Sequence, residues 1–263
     1  MSSPFRRHKQ RVLGIMSGTV APETVRTTEL QEPKPTTAAG QEYAALRVLL
    51  HDNLRTLSDI ASHEARVPVK VEMARAFVPW IEGVLAAAGT DGSQAAQDEI
   101  LVTNLVWAID YRDFDYALRL ATHAIRHGLA MPEKFTRTPA CYLAEEVATI
   151  ANAEFDAVSL DHLLAVSALV EGHDMHDAVR AKLLKAIGRR YARRAEEFDP
   201  TADNAPAGGK AAYVETALEN LRRALQLDAN VGVKKDIERL DREAKKLAPG
   251  AGEPLDRGEP PQG

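Results

Sequence analysis

The stretch Asp98–Pro139, DEILVTNLVWAIDYRDFDYALRLATHAIRHGLAMPEKFTRTP, constrains the fold of this chain more than any other. Leu101, Val102, Leu105, Val106 and Ile109 recur at helical spacing. Phe114, Ala117, Leu118, Ala121, Ala124 and Ile125 then repeat the i, i+3, i+4, i+7 pattern of a second amphipathic helix. Only Tyr111-Arg112-Asp113 separates the two, so they must pack as antiparallel neighbours. The alanines at 117, 121 and 124 admit a close partner helix. Gly128 supplies a stop, and Pro132 prevents the helix from resuming. Aromatic residues make up only 5% of the chain, which favours helix-on-helix packing, and the fold class expected is all-α.

The remaining helices follow from the same signals. A stripe of Tyr43, Leu46, Leu50, Leu54, Leu57 and Ile60 predicts one helix of about six turns from Gln41, ending before Pro68 because the residue preceding a proline is pushed out of helical geometry. Val71–Ala88 continues in helical pattern with a break or kink at Pro79. Thr138-Pro139 opens a helix through about Asn152, Leu160–Leu169 forms another, and Asp174 is the expected cap for a helix from about Met175 to Ala195. Ala211–Leu227 and Val231–Leu247 complete a last hairpin. Ala117-Leu118, Ala121 and Ala124-Ile125 match Ala217-Leu218, Leu221 and Ala224-Leu225 at an offset of 100 residues, close to three periods of a tetratricopeptide repeat. The pattern predicts antiparallel helical hairpins in a degenerate tetratricopeptide-like array, an architecture that more often presents binding surfaces than active sites.

Charge divides the chain differently. Net charge is −5, yet the first acidic residue is Glu23, and Arg6, Arg7, Lys9 and Arg11 precede it. Such a stretch is either a phosphate- or partner-binding arm or a plain solvated terminus. The sequence thus divides into a mobile basic arm over 1–22, a Pro/Thr-rich linker over 23–40, packing or oligomerisation helices over 41–90, a helical-hairpin domain over 91–247 and a disordered tail over 248–263. The stripe of Leu46, Leu50, Leu54 and Leu57 is either core or a seam between subunits. No run of about 18 apolar residues occurs, so no membrane span is expected.

Sites for chemistry are sparse. The single cysteine, Cys141, rules out an internal disulfide and a multi-cysteine zinc site, and reads as a small buried residue. Asn204–Ala211 contains Gly209-Lys210 but lacks the first glycine and the Ser/Thr of a nucleotide-binding loop. Asp110, Asp113 and Asp115 fall where a turn between helices favours acids. His123 and His127 share a helix face without a third ligand and read as partly exposed surface histidines. Glu171, His173, Asp174, His176 and Asp177 crowd a helix start. No cofactor, metal or catalytic residue is expected.

Several ordered pieces carry a family resemblance. They include Val78–Leu85 (VPWIEGVL), Trp107, Asp115–Leu118 (DYAL), Gly128–Pro132, Glu145–Ala148, Val179–Leu183 and Gly232–Leu240. With a Ser-Pro start and Arg7, His8, Arg11 and Val12 at matching places, the chain resembles the small terminase subunit of peduovirus-like tailed phages, also labelled the terminase endonuclease subunit. The resemblance implies a DNA-packaging subunit in the host bacterial cytoplasm that binds the packaging site on double-stranded phage DNA. It further implies that the chain recruits or regulates a large ATPase–nuclease subunit and assembles as a homo-oligomeric ring. Arg6, Arg7, Lys9 and Arg11 are then the DNA-binding candidates, and Leu46, Leu50, Leu54 and Leu57 the oligomer interface. Relatives can end in a basic tail, whereas Glu253, Asp256 and Glu259 outweigh Arg257 here, which argues against DNA contact through this tail. Two other readings stay open: a helical interaction scaffold without DNA contact, and an endonuclease subunit with its own cleavage activity.

Overall fold

A computed structural model of the chain describes residues 30–87, 95–201 and 208–247. Ten α-helices and one short 3-10 turn form these residues, with no strand among them. The helices are α1 (Ala38–Ser58), α2 (His63–Arg75), α3 (Val78–Ala87), α4 (Glu99–Asp110), α5 (Phe114–His127), α6 (Pro139–Ala153), α7 (Leu160–Leu169), α8 (Asp177–Glu196), α9 (Gly209–Leu227) and α10 (Lys234–Leu247), with the 3-10 turn at Phe155–Ala157. All ten lie in the unit that begins at Glu32.

Side-chain caps set most of the helix starts. Thr37, Ser62, Asp98, Asp113, Thr138 and Ser159 each accept a hydrogen bond from the backbone N–H three residues on. Each thereby satisfies one of the donors a helix leaves unpaired at its first turn. Gly128 ends α5 in the left-handed region at φ 69°, and the Leu129 N–H closes on the Ala124 carbonyl at 2.9 Å. The turn before α5 is tighter than its composition suggests: Arg112 adopts φ 68° without being glycine.

The long helix expected from Gln41 to Pro68 is instead two helices. The chain breaks at 59–62, and Ser62 caps a new helix that runs through Pro68. Pro68 is exposed, so the backbone bond it forfeits lies on the solvent side. Arg66 stabilises the break by donating from Nε to the Ile60 carbonyl at 2.6 Å. Pro79 falls in the first turn of α3, where its missing N–H costs nothing. Helix α8 begins at Asp177 after His176, not after an Asp174 cap.

Helix α4 occupies the centre of the first half. Every residue from Ile100 to Ile109 is buried, not only the face marked by its leucines and valines. Helices α1, α2, α5 and α6 all contact it. Phe77 meets the Trp107 ring edge-on at 6.2 Å between centroids, and the Tyr43 hydroxyl accepts from the Glu99 N–H at 3.0 Å. Asp98 is buried at the start of α4, where it caps Leu101 at 2.9 Å and accepts from the Trp80 indole N–H at 2.8 Å. Burial pushes the Asp98 carboxyl above the usual range, with these hydrogen bonds opposing the shift.

The second core surrounds α8, α9 and α10. Ala181, Ala192 and Ala195 of α8 pack with Ala217, Leu221 and Ala224 of α9, and Leu240 of α10 closes the cluster. Gly188 explains how close α8 and α9 come: a Cβ there would stand 2.7 Å from Leu221 Cγ and 3.1 Å from the Ala217 carbonyl oxygen. Helix α6 packs on α8 and so links the two cores. Arg190, buried on α8, stitches that junction by donating to the Ala151 and Val158 carbonyls at 3.3 and 3.2 Å, with its guanidinium 3.7 Å from the Phe155 ring centre. Helical hairpins at α4–α5, α8–α9 and α9–α10 are compatible with a tetratricopeptide-like array.

Candidate nucleic-acid and assembly surfaces

The three aspartates between the central helices diverge. Asp110 accepts from Lys70 of α2 at 2.5 Å, Asp113 caps α5 through the Tyr116 N–H at 3.0 Å, and Asp115 pairs with His162 of α7 at 3.0 Å. Lys210, beside the incomplete phosphate loop, is ion-paired with Glu243 at 2.6 Å. In the segment before α8, the His173 carbonyl accepts from Arg180 of α8 at 2.9 Å and His176 occupies the N-cap position. No group of three His, Cys, Asp or Glu residues is placed to hold a metal ion among the described residues. Cys141 is buried, and burial raises its thiol above the ordinary range.

Of the two histidines, His127 is half-buried, in keeping with expectation, and His123 departs from it. His123 is buried, not partly exposed, and its ring centre lies 4.6 Å from that of His127. Burial lowers its pKa to about 4, and the neighbouring His127 and Arg126 add to the effect. The missed signal was the second contact face of α5: Leu120 and His123 point toward neighbours that the single stripe on this helix did not reveal.

One charged network was not visible in the sequence at all. Asp110 of α4 and Glu145 of α6 meet cations from three directions: Lys70 for Asp110, and Arg137 at 2.5 Å with Lys182 at 3.5 Å for Glu145. Glu146 is half-buried beside them and is held above the usual carboxylate range by burial, by Glu145 and by Asp110. The two lysines stand 40 and 37 positions from their carboxylates and leave no periodic trace, so the fold alone brings them together.

On α1 the leucine stripe divides. Leu50 and Leu57 are buried by the chain's own side chains, and Leu46 and Leu54 are half-buried. Of the two readings the stripe left open, Leu50 and Leu57 take the core position, where α1 meets α2 and α4. The apolar residues that α1 turns outward are Val48, 64% exposed, and Leu49. Beside them Arg47 bridges Glu32 at 2.6 Å and Glu99 at 3.1 Å.

Arg6, Arg7, Lys9 and Arg11 lie outside the described residues. So do residues 202–207 and everything after Leu247. Among the described residues, a basic surface forms at the C-terminal end of α10. A depression of about 760 Å³ is lined there by Lys210, Arg239, Arg242, Lys245 and Lys246, against one carboxylate, Glu243. Arg239 continues into a second depression, of about 270 Å³, that reaches Arg189 and Arg193 of α8.

Comparison with known proteins bears on these surfaces. The family model described as phage small terminase subunit matches residues 47–178. The chain is 37% identical over 248 residues to a protein of Escherichia phage P2 named "Terminase, endonuclease subunit", covering 93% of this chain and 87% of the relative. It is 24% identical over 205 residues to a "Probable terminase, endonuclease subunit" of Haemophilus phage HP1 (strain HP1c1), covering 76% and 69%. No solved structure matches.

Proposed function

This chain belongs to the phage small terminase subunits, a DNA-packaging family, and from that premise we propose that it binds the packaging site of the phage genome and delivers it to a large ATPase–nuclease subunit. The observation that carries the reading is similarity along nearly the whole chain, 37% identity over 93% of its length, to a terminase subunit. Basic residues concentrated in the arm, at Arg6, Arg7, Lys9 and Arg11, support a phosphate contact by an otherwise acidic protein. A homo-oligomer through α1 fits the same reading, because several weak arms on one DNA raise avidity without new contacts. Packaging would take place in the host bacterial cytoplasm, and no helix among the described residues is long and apolar enough to cross a membrane.

The relatives' names contain the word endonuclease. We assign cleavage to the complex with the large subunit, because Asp110, Asp113 and Asp115 are each committed to a separate partner. Fluorescence anisotropy with duplex DNA across a salt series tests the binding. Deleting residues 1–12 should weaken binding and lower the log–log salt slope by about 0.9 for every phosphate the arm neutralises. Unchanged affinity and slope would remove the arm from the DNA site. Failure of the intact chain to bind duplex DNA would favour the interaction scaffold.

A further inference from the structure

We propose that the basic depression at the end of α10 is a second contact for the phosphate backbone of duplex DNA, built into the helical body and separate from the N-terminal arm. The inference rests on the DNA-packaging reading and adds a surface to it.

Paired and unpaired cations meet in this depression. Lys210 is neutralised by Glu243 at 2.6 Å and Arg239 by Glu196 at 2.6 Å. Arg242, Lys245 and Lys246 are exposed, and no carboxylate lies within ion-pair distance of them among the described residues. Arg242 is positioned by its own helix, its Nε donating to the Glu238 carbonyl at 3.2 Å. Cations in the last turn complement a helix dipole, which accounts for Lys245 and Lys246 in part. It does not account for Lys210, which stands in the first turn of α9, where a cation is disfavoured. The depression is thus a convergence of two helix ends of opposite polarity on five cations and one carboxylate, in a chain whose net charge is −5.

Spacing suits a sugar–phosphate backbone. Arg239, Arg242 and Lys246 follow one another at three and four residues, on one face of α10. At about 1.5 Å per residue they span roughly 10 Å, and duplex DNA presents one phosphate per ~3.4 Å of axis on each strand. The chemistry of the lining favours nucleic acid over a protein partner. Its one large apolar side chain is Leu247, which offers no apolar centre of the kind protein interfaces bury, whereas DNA interfaces are polar and strongly basic.

The test neutralises only cations whose removal strands no carboxylate. The full chain carrying Arg242→Gln, Lys245→Gln and Lys246→Gln is compared with the unmodified chain and with a charge-keeping version, Arg242→Lys, Lys245→Arg and Lys246→Arg. The neutral variant should lower the salt slope by about 2.7 and weaken binding on the order of a few hundredfold at 0.1 M salt, if the curves meet at 1 M. The charge-keeping version should bind as the unmodified chain does. If the unmodified chain binds and the neutral variant matches its slope, the proposal is overturned while the packaging reading stands. If the neutral variant keeps DNA binding but no longer captures the large subunit, the surface is a protein-docking site and the proposal is again overturned. No binding by the unmodified chain would overturn both. A second measurement requires no variant: lysine acetylation read by mass spectrometry, with and without DNA. Lys245 and Lys246 should become protected while Lys134, outside the depression, does not; equal labelling of all three overturns the proposal.

Discussion

Burial of the His123 imidazole gives α5 a pH dependence that its sequence does not advertise. In the fold the group is held neutral, with its pKa at about 4 against an ordinary 6.5. The unfolded chain therefore takes up a proton first as pH falls. Stability from this group is complete above pH 6.5 and is lost between there and pH 4, by about 3 kcal/mol for a shift of this size. Urea denaturation at stepwise pH should show the loss in the unmodified chain and a flatter profile over that window in His123→Leu. A parallel decline in both would assign the acid sensitivity to other groups. By its spacing alone, His123 reads as half of a surface pair; what decides its environment is the approach of neighbouring helices to a second side of α5, which no stripe on α5 encodes.

At the scale of elements, punctuation was legible and partnership was not. Thr138-Pro139 and Gly128 follow from cap and breaker chemistry that acts within a few residues, and the structure has them, and the helix Leu160–Leu169, as expected. Pro68 misled because a proline rule predicts where a helix is weakened, whereas Ser62 offered a better place to break and restart. The close approach of α8 and α9 was likewise hidden, since a lone glycine inside a helical pattern reads as a weak point. Gly188→Ala should raise helix propensity and still destabilise the protein by about 1–3 kcal/mol, because the added methyl meets Leu221 and the Ala217 carbonyl. Thermal melting of that variant checks the sign. Stabilisation would mean that Leu221 can shift at no cost.

Considered whole, the molecule is an acidic chain of capped helices that nonetheless gathers basic side chains along α8 and at the end of α10. Its family role was legible because motif pieces survive in order along the chain. The packing partner of α1 was not, because a leucine stripe does not say whether that partner lies in the same chain. Val48→Glu with Leu49→Glu should yield a folded protein of reduced mass by native mass spectrometry if α1 joins copies. Leu50→Glu should unfold the protomer, since that side chain is fully enclosed. Purified alone with Mg²⁺, the chain is expected to leave supercoiled plasmid intact and to hydrolyse no ATP. Plasmid nicking abolished by Asp115→Asn or Glu146→Gln would transfer catalysis to this subunit.

Helix α4 carries a final consequence, for anyone who wishes to dissect this protein. It has no solvent side, and its cover comes both from α1 and α2 before it and from α5 and α6 after it. A fragment cut on either side would expose one flank of a rod whose buried residues run unbroken from Ile100 to Ile109, and would aggregate before it could report on function. Shortened versions for crystallisation or for mapping partners should therefore trim only toward the two ends of the chain, keeping α1 to α6 intact as one cassette.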